Sequence, residues 1–317
     1  MKKGLYLLSF LFLTLSISIQ AQTRKLRRDE LIFGIGGTGF MGELGGANKI
    51  GTYGPRDFDF KSVRPSFDFG YRYRMSDRWA IKTSGFWGLV YGNDKFTTEL
   101  YRNNRNLSFR SNIIELSSQV DFFFMTNTVG QRYKLHVQGK KNVRFSGYVF
   151  AGVGGFYYNP QAKFTNNIDG STKWYNLRGY HTEGEGIIPT RKEYSNFSFC
   201  IPFGIGIAYG WTKYWSIGLE YGFRKTFTDY IDDCSTTYVD PSIYGNTSDL
   251  HSYMSQEFSN PSPNKNQDNT LGIATQPGQQ RGDPKKKDSY MFAMFNVYYK
   301  IHTNRKFYPI FPKKKKY

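Results

Sequence analysis

The chain has 317 residues, with 43 Lys and Arg against 25 Asp and Glu, a formal net charge of +18 and a mean hydropathy of −0.57. Two cysteines, Cys200 and Cys234, exclude a disulfide framework and leave room for at most one bridge in an oxidising compartment. Beyond the first 21 residues no apolar run is long enough for a membrane helix, so two classes remain: a soluble exported domain, or a barrel whose strands alternate apolar and polar residues.

Residues 1–21 read as a secretory signal peptide. Lys2 and Lys3 open it, an apolar run fills 5–19, and Ala21 supplies a small residue for cleavage before Gln22. Export turns the positive charge away from nucleic acid. It points instead to outer-membrane lipid, lipopolysaccharide phosphates or an acidic periplasmic protein.

Residues 22–301 then show a period of two. The first stretch, 30–41, alternates imperfectly. In 65–74, Phe67, Phe69, Tyr71 and Tyr73 occupy one phase, with Ser66, Asp68, Gly70, Arg72 and Arg74 on the other. Weaker alternation covers 79–91, 111–124 and 144–158. In 197–210 the apolar phase is Phe197, Phe199, Ile201, Phe203, Ile205, Ile207 and Tyr209. Residues 215–226 and 290–301 complete the set. A helix would scatter these residues around its circumference, whereas a strand places them on one face.

About eight strands are predicted, an even number that fits an all-β, up-and-down antiparallel transmembrane β-barrel. The aromatic content of 18% and the 33 glycines agree with interfacial girdles and a crowded interior. Short links at 76–78 and 211–214 alternate with long ones at 42–62, 92–110, 159–196 and 227–289, as periplasmic turns alternate with external loops. The link 125–143 is longer than a turn. Residues 255–287 read as a mobile external loop, and 302–317 as a basic tail ending in Lys313, Lys314, Lys315, Lys316 and Tyr317.

The chemistry-bearing residues are few. Gly34, Gly36 and Gly39 match a dinucleotide fingerprint by letter. Gly42, Gly45 and Gly46 then deny it the helix that would hold a pyrophosphate, so a glycine-lined strand is expected. His136, His181, His251 and His302 lack metal-site spacing. No catalytic residue, cofactor or metal site is expected. Asp229, Asp232 and Asp233 lack the regular spacing of a calcium loop and read as a solvated acidic loop. Arg102, Arg105 and Lys285 to Lys287 read as solvated loop charges, with lipopolysaccharide phosphates as the alternative.

The inward phases carry Asp68, Glu115, Asp121 and Glu220 against Arg72, Arg74, Lys82 and Arg224. Counting from the turns places Lys82 near Asp121, with Arg72 at a similar depth. Buried charges must be paired, so these residues are expected to form a lumen network that plugs the barrel.

Four stretches add a resemblance: 40–48 (FMGELGGAN), 102–110 (RNNRNLSFR), 150–157 (FAGVGGFY) and 218–233 (GLEYGFRKTFTDYIDD). They resemble the Bacteroidetes outer-membrane β-barrel family related to PorG of the type IX secretion system, over roughly 31–301. The loop 238–288 and the basic tail are additions to the family pattern. The resemblance implies a non-enzymatic structural or accessory barrel of a secretion- or gliding-type envelope complex. Its periplasmic face, at 125–143 and Lys313 to Lys316, would meet the ring proteins of a secretion machine. The alternatives are a lipid-modifying enzyme with a Ser/His/Glu cluster at the outer rim, and an external adhesion or ligand-binding barrel using 227–289.

Overall fold

Alternating burial runs through every long strand. The computed structural model describes residues 28–44, 60–126, 144–165, 170–212, 214–246 and 248–301. Among the described residues nine strands form: β1 (Asp29–Met41), β2 (Arg64–Arg74), β3 (Trp79–Asn93), β4 (Ser108–Met125), β5 (Phe145–Thr165), β6 (Thr172–Asn176), β7 (Phe197–Gly210), β8 (Trp215–Thr226) and β9 (Ser289–Lys300). All neighbours are antiparallel. β1 pairs with both β2 and β9, and β4 pairs with β5, so eight strands close into a ring. β6 stands outside that ring and, among the described residues, pairs with the far end of β5 alone.

All eight strands expected from the period-two pattern are present, and the tight turns fall at 75–78 and 211–214. Two differences from the sequence reading stand out. β5 continues to Thr165, well past the roughly 9–11 residues needed to cross a bilayer, and forms a hairpin with β6 above the wall. The 255–287 region, read as mobile, is folded. It is covered in part by α2 (Leu250–Ser259) and α3 (Thr270–Ile273), while α1 (Leu100–Arg105) lies in the β3–β4 loop. Met254 and Phe258 of α2 bury against Ala162 and Leu177, with Phe164, Tyr175 and Tyr180 beside them. That apolar patch stabilises a segment whose composition suggests disorder. The signal segment, residues 127–143 and the tail from 302 lie outside the described residues.

The outward face is apolar. Phe33, Ile35, Phe67, Phe69, Ile114, Leu116, Val153, Phe199, Ile205, Ile207 and Leu219 all project away from the lumen. Aromatic pairs cross neighbouring strands near the periplasmic turns: Trp79 with Phe122 at 4.8 Å, Phe145 with Tyr209 at 5.0 Å, and Trp215 with Tyr299 at 4.7 Å between ring centroids. Such a girdle beside an apolar belt is the signature of a bilayer-spanning barrel, and ring closure leaves no strand edge unpaired in lipid. No helix among the described residues is long and apolar enough to cross a membrane, so the crossing is made by strands. The chain is an eight-stranded outer-membrane β-barrel protein.

Candidate functional site

The interior is filled from both ends by side chains. Lys82 of β3, 2% exposed, reaches Glu220 of β8 at 3.0 Å and Asp68 of β2 at 3.2 Å. Arg72 reaches Asp121 at 2.7 Å, and Arg224 reaches Glu115 at 3.0 Å. With Arg74, which pairs with Glu30, all eight charges assigned to the lumen by sequence enter ion pairs, but with one reassignment. Asp121 takes Arg72, not Lys82, as its partner, because Lys82 lies opposite Gln119 and Arg72 in the ladders while its Nζ turns across the lumen to β8.

Glu30 was missed. It is buried at the periplasmic end of β1, 3.0 Å from Arg74 and 3.5 Å from Arg72. Its signal was present in the sequence, since it shares a phase with Ile32 and Gly34 opposite the outward Phe33 and Ile35.

Tyrosines complete the plug. Tyr148 donates to Glu220 at 2.7 Å and pairs with Tyr298 at 2.9 Å, and Tyr290 donates to Glu115 at 2.6 Å. Arg72 lies 4.5 Å from the Tyr148 ring, and Arg224 lies 4.3 Å from the Phe292 ring. Above them Phe86, Phe156, Tyr290 and Phe292 pack as one aromatic cluster. The glycines of 34–39 sit inside β1. A Cβ on Gly36 would strike the Ala293 carbonyl of β9, so close strand packing, not a phosphate, accounts for this glycine.

The outer mouth is closed by a cap built from four loops. Arg105 grips Asp94 through both oxygens, at 2.8 and 2.9 Å, and donates to the carbonyls of Glu43 and Arg281. Arg281 in turn binds Glu183 at 2.9 Å and the Asp233 carbonyl at 2.5 Å. Arg105 is thus a strut between loops and not a solvated charge. Lys285, Lys286 and Lys287 are exposed, as expected.

Asp229, Asp232 and Asp233 are buried, which corrects their reading as a solvated loop. Each is claimed by the fold. Asp233 accepts from Thr182 and Tyr194, Asp232 accepts the amides of Leu44 and Cys234, and Asp229 accepts from Ser235 at 2.7 Å. The fold needs acceptors there, and spacing along the chain does not reveal it. Cys200 and Cys234 are buried free thiols, and Cys234 donates to the Arg281 carbonyl.

Burial and mutual repulsion raise several carboxyls of the cap, Glu43, Asp229 and Glu185 among them. Burial pushes Glu43 up to about 7, with Asp229 adding to it, and pushes Asp229 up to about 6. Burial pushes Glu185 up to about 8, reinforced by Asp233 and Glu183. Arg281 faces Glu183 and Asp233 from the β8–β9 loop, and the His181 ring lies beside Gly186. A carboxyl raised from 4.5 holds its proton in the folded cap when the unfolded loop has lost it. Its stabilisation is complete below about pH 4.5 and is lost as pH rises through 8. Amide exchange across 182–193 should therefore be faster at pH 8.5 than at pH 5, after correction for intrinsic rates. The change should be at least roughly tenfold, the equivalent of one pKa unit. Glu185→Gln should flatten the profile, and a flat wild-type profile would contradict the assignment.

The two described histidines sit in different settings. The His181 Nδ1 is buried without a hydrogen-bond partner, and the His251 ring stacks on Tyr180 at 4.8 Å. Neither has a Ser, Asp or Glu partner among the described residues. An apolar groove of about 510 Å³ runs over the outward face of the wall between Ile35, Ile205, Leu219 and Phe295.

Among solved structures the chain is similar to Neisserial surface protein A (NspA), at 8% identity and a TM-score of 0.37, covering 86% of this chain and 97% of that one. It is also similar to Ail, the attachment invasion locus protein of Yersinia pestis, in complex with the heparin analogue sucrose octasulfate, at 9% identity and 0.33, with the same coverage of each. The N-terminal β-barrel domain of Pseudomonas aeruginosa OprF follows at 9% and 0.30, covering 85% of this chain and 96% of that one. No curated protein matches. The model of the family described as domain of unknown function DUF6089 matches residues 6–254, and the chain belongs to that family.

Proposed function

We propose that this protein is a non-enzymatic structural or accessory barrel of a type IX secretion- or gliding-type envelope complex, and that it holds a periplasmic ring protein from the inner side of the outer membrane. The plugged lumen carries the reading. Lys82, Arg72 and Arg224 and their acids fill the bore, so the work falls to the two ends. The likeness of 40–48, 102–110, 150–157 and 218–233 to PorG-related barrels supplies the class of partner. The basic residues Lys313 to Lys316 supply charge for an acidic surface.

Deleting Lys313 to Lys316 should reduce recovery of ring proteins in a low-salt pull-down severalfold, with the barrel itself still inserted. Unchanged recovery would remove the tail as the docking element. The absence of any crosslink between this chain and ring subunits would remove the secretion role. A second reading, an external ligand-binding barrel, draws support from the folded cap. Trimming 227–289 would favour it if cell attachment were lost while secretion continued.

A further inference from the structure

We propose that Glu43, Asp229 and Asp288 form a divalent-cation site fitted to Ca2+, which locks the β1–β2 loop to the β8–β9 loop at the outer mouth. The three residues come from opposite ends of the chain, and each offers one carboxylate oxygen within 4.8 Å of the others. Two oxygens on opposite sides of a calcium ion, each at about 2.4 Å, are separated by about that distance.

Each carboxylate spends one oxygen on the protein. Glu43 Oε1 accepts the Asp283 amide at 3.2 Å, Asp229 Oδ2 accepts the Ser235 hydroxyl at 2.7 Å, and Asp288 Oδ2 accepts the Ile231 amide at 2.9 Å. The other oxygen of each, Glu43 Oε2, Asp229 Oδ1 and Asp288 Oδ1, is buried and without a hydrogen-bond partner. Asp229 is 1% exposed and Asp288 0%. A buried carboxylate oxygen without a donor is costly, and the cost adds up where three such carboxylates lie together. A shared cation satisfies all of them together.

Arg105 and Lys287 lie close enough to lower the Glu43 and Asp229 carboxyls through space, but neither forms an ion pair with them. Arg105 is bound bidentately by Asp94, and the exposed Lys287 binds the Pro284 carbonyl. None of Glu43, Asp229 or Asp288 has an ion-pair partner among the described residues. Asp232, beside them, has both oxygens occupied by the Leu44 and Cys234 amides, so it fixes the loops and is not a ligand. At Gly42 a Cβ would run into Asp288 Oδ1, so the chain leaves room where the ligand sits. Ca2+ accepts an irregular set of carboxylates completed by water, whereas Mg2+ demands a near-ideal octahedron.

The test uses the full mature chain in detergent micelles, titrated with CaCl2 from a chelated baseline. Calorimetry should show one equivalent bound, with a Kd of about 0.1–1 mM, the range of extracellular calcium modules. At ten times Kd, trypsin cleavage between Lys265 and Lys287 should slow about tenfold. Asp229→Asn and Asp288→Asn should each abolish this response. Because an amide removes repulsion, either variant should be at least as resistant as the chelated wild type, which separates loss of metal from loss of fold. A wild type unresponsive up to about 10 mM Ca2+ would overturn the proposal. So would equal protection by Mg2+ or by NaCl at matched ionic strength, or variants that respond as the wild type does.

Discussion

Replacing Lys82 with methionine is expected to destabilise the barrel by about 3–5 kcal/mol, the cost of removing one partner from a buried ion pair. Methionine keeps nearly the same volume, so the loss comes from charge and not from a cavity. Lys82 is the ammonium that serves both Asp68 and Glu220. Without it, Glu220 keeps the Tyr148 hydroxyl while Asp68 loses its ion-pair partner. Urea unfolding in micelles, followed by tryptophan fluorescence, measures the loss. Adding Asp68→Asn and Glu220→Gln to Lys82→Met should restore most of the stability, because no uncompensated charge then remains. A single variant as stable as the wild type would mean that water reaches these groups, and the plug would be a channel.

Leu219→Arg is expected to cost about 2–4 kcal/mol in a bilayer, the penalty for a cation near the middle of a barrel's lipid face. Leu219 is 57% exposed to the surroundings, four residues in from the Trp215 girdle. In a water-soluble protein the same exposed leucine would accept arginine within about ±0.5 kcal/mol. The comparison therefore asks directly what solvent covers the outer wall. Folding into lipid vesicles and measuring the urea midpoint decides it. A near-neutral result would place water on that face.

The wall of this barrel was legible because side-chain alternation is local. Phe197 to Tyr209 declares its outward phase without knowledge of any other strand, and each tight turn tells which strands pair. Depth is different. Whether Lys82 meets Asp121 or Glu220 depends on the stagger of the closed ring and on how far a long side chain leans, and neither is written in β3 alone. Glu30 escaped because 34–39 is rich in glycine, which blurs the inward and outward phases of β1. The cap was least legible. Arg105 meeting the Glu43 carbonyl, or Asp288 meeting Glu43 and Asp229, joins residues from separate loops. No period of two or 3.6 marks such contacts. The apolar contacts of Met254 and Phe258 lie in a polar, Asn- and Gln-rich stretch whose average composition hides them.

Heat-modifiability of the mature protein, extracted from the outer-membrane fraction with mild detergent, tests the central claim most directly. A closed eight-stranded ring with every strand paired should resist SDS at room temperature and run as a compact band. After boiling it should shift to the position of its full unfolded length. A single band unchanged by boiling, together with recovery of the protein in the soluble fraction after export, would contradict the lipid-facing barrel.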